Sequence, residues 1–182
     1  MNTIRFALNW KMEGAVGEST GTGGASPPIL ILGLGNELLK DDAVGLRVAE
    51  RLQGIFPAEV EVRSTSLFGL ALLDELIGRE KVLLIDSYVP EEFIGSEIQE
   101  RNFAEVGEPR GPCPHFVGLG EVREVMRELG LGFPREVRIL AIPVSDPITF
   151  STEMTPAVAA RVDEAATRAR QIVEAWLPHS AT

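Results

Sequence analysis

Two rhythms of apolar and polar residues take turns along this chain. Ile29–Leu32 is four apolar residues in a row, too short for a helix and typical of a strand covered on both faces. A helical rhythm follows. Val44, Val48, Ala49 and Leu52 share one face, which predicts a helix from about Asp41 to Gln53, stopped by Gly54 with Pro57 beyond. Glu59–Arg63 alternates polar and apolar and reads as a second strand, nearer an edge. Ser66 then stands as a hydroxyl cap before a short, very apolar helix over 67–77, ended by Gly78. Val82–Ile85 is another continuous apolar run, closed by Asp86. Alternation over 97–103 predicts a further strand, and the prolines and glycines of 107–114 a loop. That loop leads through His115 into a helix to about Leu129. Val137–Ile142 is the next strand. A long helix begins at Thr155-Pro156, a hydroxyl cap and a proline in the first helical position. Val158, Val162, Ala165, Ala169, Ile172 and Trp176 lie on its core face.

Strand and helix in this order, with continuous apolar strands, imply an α/β fold. The expected architecture is three-layered: a mostly parallel, twisted sheet of about five strands with helices on both faces. Crossovers are right-handed, so the carboxyl ends of the parallel strands open on one edge, where such sheets bind ligands. Asp42 follows the first strand and Asp86 ends the third. Residues 17–26 have flexible-linker composition, closed by Pro27-Pro28. The expected division is an N-terminal extension over 1–28, one domain over 29–178 and a tail over 179–182.

The whole sequence sharpens this picture. It has 182 residues and a formal net charge of −10. That balance disfavours nucleic acid, whose phosphates demand a basic surface, and anionic membrane. A metal ion or basic peptide is easier to accept. The single cysteine, Cys113, allows no internal disulfide and fits a reducing compartment. No apolar run reaches the length of a membrane span. Arg5, Asn9 and Lys11 interrupt the N-terminal apolar residues, unlike a secretory signal. A cytoplasmic location is expected.

Two carboxylates and an imidazole make a metal-binding set, since Asp oxygen and neutral His nitrogen suit zinc, nickel and related ions. Asp42, Asp86 and His115 are the candidates. Each has a plainer role available. First-turn acids such as Asp41 and Asp42 stabilise a helix by ~0.3–1 kcal/mol each, commonly as a solvated pair. Asp86, after four apolar residues, needs a partner if buried, and capping a turn through Ser87-Tyr88 would supply one. His115 at a helix start can bond nearby backbone, and His179 lies in the tail. Gly33-x-Gly35 suggests a dinucleotide fingerprint but lacks both the third glycine and an acid after the second strand. Cys113 sits between Pro112 and Pro114, a poor setting for a Cys–His nucleophile pair.

Gly33-Leu34-Gly35-Asn36 and Asp41-Asp42-Ala43-Val44-Gly45, with an apolar stretch between, resemble the opening of the [NiFe]-hydrogenase maturation endopeptidases. Leu83–Asp86 is similar to that family's strand ending in aspartate. Pro114-His115 with Gly118-Leu119 resembles its histidine-bearing loop. Ile142-Pro143 and Met154-Thr155-Pro156 match two later landmarks, so the likeness spans about residues 29–177. It implies a cytoplasmic endopeptidase that removes the C-terminal extension of a hydrogenase large-subunit precursor after nickel insertion. It further implies that Asp42, Asp86 and His115 bind the metal, with Asp42 and Asp86 as the catalytic carboxylates. The metal would be nickel, supplied by the precursor; zinc or cadmium could occupy the same ligands. Asp41 is left to cap rather than catalyse. One departure stands out: Ser64-Thr65-Ser66 occupies the place where many members carry an acid followed by glycines. The competing reading is a non-catalytic nickel checkpoint or assembly module that binds the precursor uncut.

Overall fold

The apolar runs pair into a single five-stranded sheet in the computed structural model, which describes residues 26–90, 97–106 and 118–178. The strands are β1 (Ile29–Leu34), β2 (Val60–Thr65), β3 (Lys81–Tyr88), β4 (Gln99–Asn102) and β5 (Glu136–Pro143), in the order β2-β1-β3-β5-β4. All neighbours are parallel except β4, which runs antiparallel to β5.

Successive residues of a strand point to opposite faces, and here both faces are apolar. Ile29, Ile31, Leu83, Ile85, Leu140 and Ile142 meet α1 (Val44–Leu52) and the C-terminal helix on one side. Leu30, Leu32, Val82, Leu84, Val137 and Ile139 meet Leu72, Leu76, Phe103 and α4 (Leu119–Glu128) on the other. Between these lie two one-turn helices, α2 (Leu73–Leu76) and α3 (Phe103–Val106). This is the expected three-layer α/β architecture.

Several elements differ from their sequence patterns. The helix expected over 41–53 begins with a 3-10 turn, Lys40–Ala43, and turns α-helical only at Val44. The helix expected over 67–77 shrinks to a 3-10 turn, Gly69–Leu72, and α2. Ser66 does not cap it: Phe68 is the flanking residue and no side chain bonds there. Leu67, Phe68 and Leu70 stay exposed, so the segment buries too little apolar surface to sustain a longer helix. The strand expected over 97–103 is only Gln99–Asn102, with Phe103 starting α3. The long final helix is two pieces, α5 (Pro156–Ala159) and α6 (Val162–Glu174), sharing one buried face from Val158 to Trp176. Pro156 opens α5 as expected, but Thr155 caps nothing with its hydroxyl, which is spent elsewhere. His115, its helix start, the 107–114 loop, Cys113 and His179 lie outside the described residues.

The boundary at Ile29 also moves. The Pro28 carbonyl accepts the Glu80 and Lys81 amides at 2.7 and 3.1 Å. The Pro27 carbonyl accepts the guanidinium of Arg79 at 2.7 Å. Arg79 is buried and also pairs with Glu61. Pro27-Pro28 therefore belongs to the bonded domain rather than to the extension.

Three glycines let α1 lie on the strands. A methyl group at Gly45 would stand 2.3 Å from the Leu34 carbonyl oxygen and 2.4 Å from that of Ile85. One at Gly33 would meet the Gly45 carbonyl oxygen at 2.3 Å. One at Gly35, where φ is +147°, would meet that of Asp42 at 2.1 Å. Such approaches exclude every other residue.

Gly45→Ala should therefore destabilise the domain by about 1–3 kcal/mol through overpacking; an unchanged denaturation midpoint would show that the helix lifts off freely. A chain starting at Ile29 should melt several degrees below one starting at Ser26, because Arg79 and two amides lose their acceptors. Equal melting temperatures would refute the role given to Pro27 and Pro28.

Candidate active site

The strand order reverses direction between β1 and β3. From β1 the chain crosses by α1 to β2 on one side, then passes over the opposite face to β3 on the other. In open α/β sheets the crevice beyond such a pair of strand ends is the binding position. β1 and β3 pair only as far as Gly33 and Ile85, and β3 runs on through Asp86, Ser87 and Tyr88 beside β5. The Lys40–Ala43 turn sits at that opening because Gly45 rests on both strands.

Asp42 and Asp86 meet here through Ser87. The Ser87 hydroxyl donates to Asp42 Oδ1 at 2.9 Å, and the Ser87 amide donates to Asp86 Oδ1 at 2.8 Å. Asp42 is 4 % exposed and Asp86 fully buried. The expected solvated pair of first-turn acids is thus not what forms. Nor does Asp86 cap a turn, since β3 continues through Tyr88. Asn36 completes the setting. Its amide donates to Asp42 Oδ2 at 2.8 Å, and its side-chain oxygen accepts the Leu38 amide at 3.0 Å. An Asx turn thereby points one backbone N–H at the buried carboxylate.

Asp41 faces the other way. Its carboxylate accepts the Thr155 amide (2.7 Å), the Thr155 hydroxyl (3.1 Å), the Asp146 amide (3.2 Å) and the Ser145 hydroxyl (3.4 Å). Fully buried, it ties the 3-10 turn to the 144–155 loop. Lys40 adds an ion pair to Asp146 at 2.9 Å. The hydrogen bond from Lys40 holds the Asp146 carboxyl below its ordinary value, and the same bond raises Lys40. The pair therefore stabilises the loop at neutral pH. Its contribution fades as pH falls through the depressed Asp146 value, or rises through the raised Lys40 value.

Asp42 and Asp86 are brought together; His115 lies outside the described residues, and among the described residues no cluster of three potential metal ligands forms. The donor pair nonetheless suits a divalent ion. Each Asp42 oxygen accepts a single hydrogen bond from the bonds above and keeps lone-pair capacity, and carboxylate oxygen is a standard ligand.

Sequence patterns named Ser87 only as part of a turn capped by Asp86, and Asn36 only within the opening motif; neither was read as a donor to Asp42. Their signal lay in adjacency, one directly after Asp86 and one directly after Gly35. Nor did they foresee a groove of about 390 Å³ between the Gly35–Leu38 turn and Ser64–Ser66, with Leu46 also in its wall. Leu38 exposes a large apolar side chain beside it. Leu39 bridges to Phe150, and the Leu38 carbonyl accepts the Ser151 amide. This carries Phe150 (83 % exposed) and Ile148 (79 % exposed) on the loop that Asp41 holds.

No family model matches the chain. Hydrogenase 2 maturation protease of Escherichia coli K12 is 28 % identical over 141 residues, covering 75 % of this chain and 85 % of that protein. The solved hydrogenase maturating endopeptidase HybD of E. coli superposes with a TM-score of 0.66 at 26 % identity, covering 80 % of this chain and 91 % of that one. The [NiFe] hydrogenase maturation protease HycI of Thermococcus kodakarensis shares the fold, with a TM-score of 0.61 at 18 % identity over 81 % of this chain and 93 % of its own. Matched along most of its length in sequence and fold, with the glycine-seated turn and paired aspartates on the page, this chain is similar to the hydrogenase maturation endopeptidases.

Proposed function

We propose that this protein is a cytoplasmic endopeptidase that cuts the C-terminal extension from a [NiFe]-hydrogenase large-subunit precursor after nickel insertion. The observation that carries this reading is the buried Asp42–Ser87–Asp86 arrangement at the strand-order reversal, in a chain similar to this family. Nickel arrives as part of the substrate. Asp42 and Asp86, with His115, are the groups that would hold it. His115 precedes Gly118 by three residues, a span of at most about 11 Å. Gly118 starts α4 against Gly69, just past the end of β2.

A divalent ion held by these residues would supply Lewis acidity toward the scissile carbonyl. The chain's own residues do the rest. Ser87 and Asn36 hold the carboxylates oriented, and burial excludes bulk water. A carboxylate takes a proton as water adds to the carbonyl carbon, then returns it to the nitrogen as the C–N bond breaks. Asp41 takes no part, because its oxygens are committed to Thr155, Asp146 and Ser145.

Incubation with nickel-loaded precursor, read by mass spectrometry, tests the reading: the clipped tail should appear. A precursor bound but left whole would favour the non-catalytic checkpoint. Asp42→Asn and Asp86→Asn should each slow cutting by at least about 100-fold while leaving the melting temperature within a few degrees. Asp41→Ala should invert that pattern and cost about 2–4 kcal/mol of stability, because it strips buried donors of their acceptor. If all three variants behave alike, the two acids do not have separate roles. His115→Ala should weaken nickel binding in calorimetric titration, and His179→Ala should not; equal affinities would remove His115 from the site.

A further inference from the structure

Ile148, Phe150 and Leu38 leave 79, 83 and 54 % of their surface exposed, and main-chain bonding holds them at one tip. Leu39 bridges to Phe150, and the Leu38 carbonyl accepts the Ser151 amide at 3.0 Å. Leu38 and Leu39 lie within the 36–42 loop that the bond from the Asn36 amide to Asp42 Oδ2 closes. The tip is therefore tied to the turn that carries Asp42. It is also anchored below. Asp41 takes the Asp146 and Thr155 amides on either side of Ile148 and Phe150, and the Thr149 amide donates to Asp146 Oδ1 at 3.2 Å. A loose loop could fold such side chains inward; this one is bonded with them outward. A surface held in this way loses little freedom when a partner covers it.

Size and charge narrow the occupant. Three such side chains present on the order of 400 Å², about half of the ~800 Å² that each partner gives to a stable complex. That is too little to hold a second copy of this chain. It is enough for a partner already held elsewhere, because the second contact then forms at high effective concentration. A protein whose tail lies at Asp42 is held in that way. Glu37 and Glu153 beside the tip are exposed, and no described cation pairs with either, whereas Asp146 neutralises Lys40. The rim is thus negative and favours positive charge opposite it. We propose that the Leu38–Ile148–Phe150 tip docks the folded body of the precursor, on an apolar patch with a basic rim near the root of the tail. This rests on the peptidase reading above and names the surface by which that site receives its substrate.

The double variant Ile148→Ser, Phe150→Ser keeps every backbone bond of the loop. It should raise the KM for nickel-loaded precursor at least about tenfold, with a smaller change in kcat. Glu37→Gln with Glu153→Gln should raise KM a few-fold at low salt and not at high salt; no change at low salt overturns the basic rim. NMR of the unaltered protein guards against a misfolded variant: precursor should shift the Ile148 methyl signals, and unmoved signals overturn the proposal. Sedimentation of the protein alone should show a monomer. A dimer that the double variant dissolves would assign the tip to a second copy and defeat the proposal. Precursor cut by the double variant with unchanged KM defeats the docking surface and leaves the peptidase reading standing. Precursor that binds the unaltered protein, binds the variant at least about tenfold more weakly and stays whole with both does the reverse.

Discussion

Gly45 rests against the carbonyl oxygens of Leu34 and Ile85, and the site hangs on that contact. No side chain can come between helix and sheet there, so the backbone of α1 seats directly over the gap where β1 and β3 part. Gly33 and Gly35 continue the same close approach toward Ala49 and the Asp42 carbonyl. The turn before α1 is thereby pressed onto the carboxyl ends of the strands, and its acids are pressed inward with it. These glycines serve protein–protein backbone packing within the domain. In a dinucleotide fold similar glycines make room for a pyrophosphate, which is why the spacing alone misleads.

Burial of two adjacent carboxylates is costly unless donors surround each one. The 3-10 turn resolves this by separating neighbours by about 120°. Asp41 then reaches the loop after β5 and takes the Thr155 and Asp146 amides. Asp42 reaches Asn36 and Ser87. One acid builds the edge of the site and the other belongs to it. The two roles depend on each other, because the loop held by Asp41 also pins Leu39 and Leu38, which border the groove.

The same edge exposes apolar side chains that an isolated domain has no reason to display. Ile148 and Phe150 stand out on the Asp41-held loop, and Leu67, Phe68 and Leu70 follow β2. Exposed apolar residues gathered at one edge offer more contact surface than single scattered ones. Among the described residues no helix is long and apolar enough to cross a membrane, so these side chains belong to loops at the sheet edge and not to a span.

The fold class was legible from periodicity because strand and helix burial repeats locally: the runs at Ile29, Val82 and Val137, and the stripe from Val158 to Trp176, needed no distant partner to be recognised. The position of Asp42 and Asp86 at one edge followed from strand direction alone. Their neighbour's role did not. Asp41 and Asp42 are chemically identical; the resemblance gave them different roles, but the bonds that occupy Asp41 come from Thr155 and Asp146, more than a hundred residues later. Ser87 and Asn36 likewise became donors to the carboxylates only once β3 outran β1 and the Gly35 turn closed. The boundary at Pro27, the break before Val162 and the shortness of the 69–76 segment were also set by tertiary bonds and incomplete burial. Local pattern thus determined which segments become strands and helices. Hydrogen bonds from elsewhere in the chain decided which buried acid ties down the 144–155 loop and which is held by Ser87 and Asn36, and no local pattern encodes those.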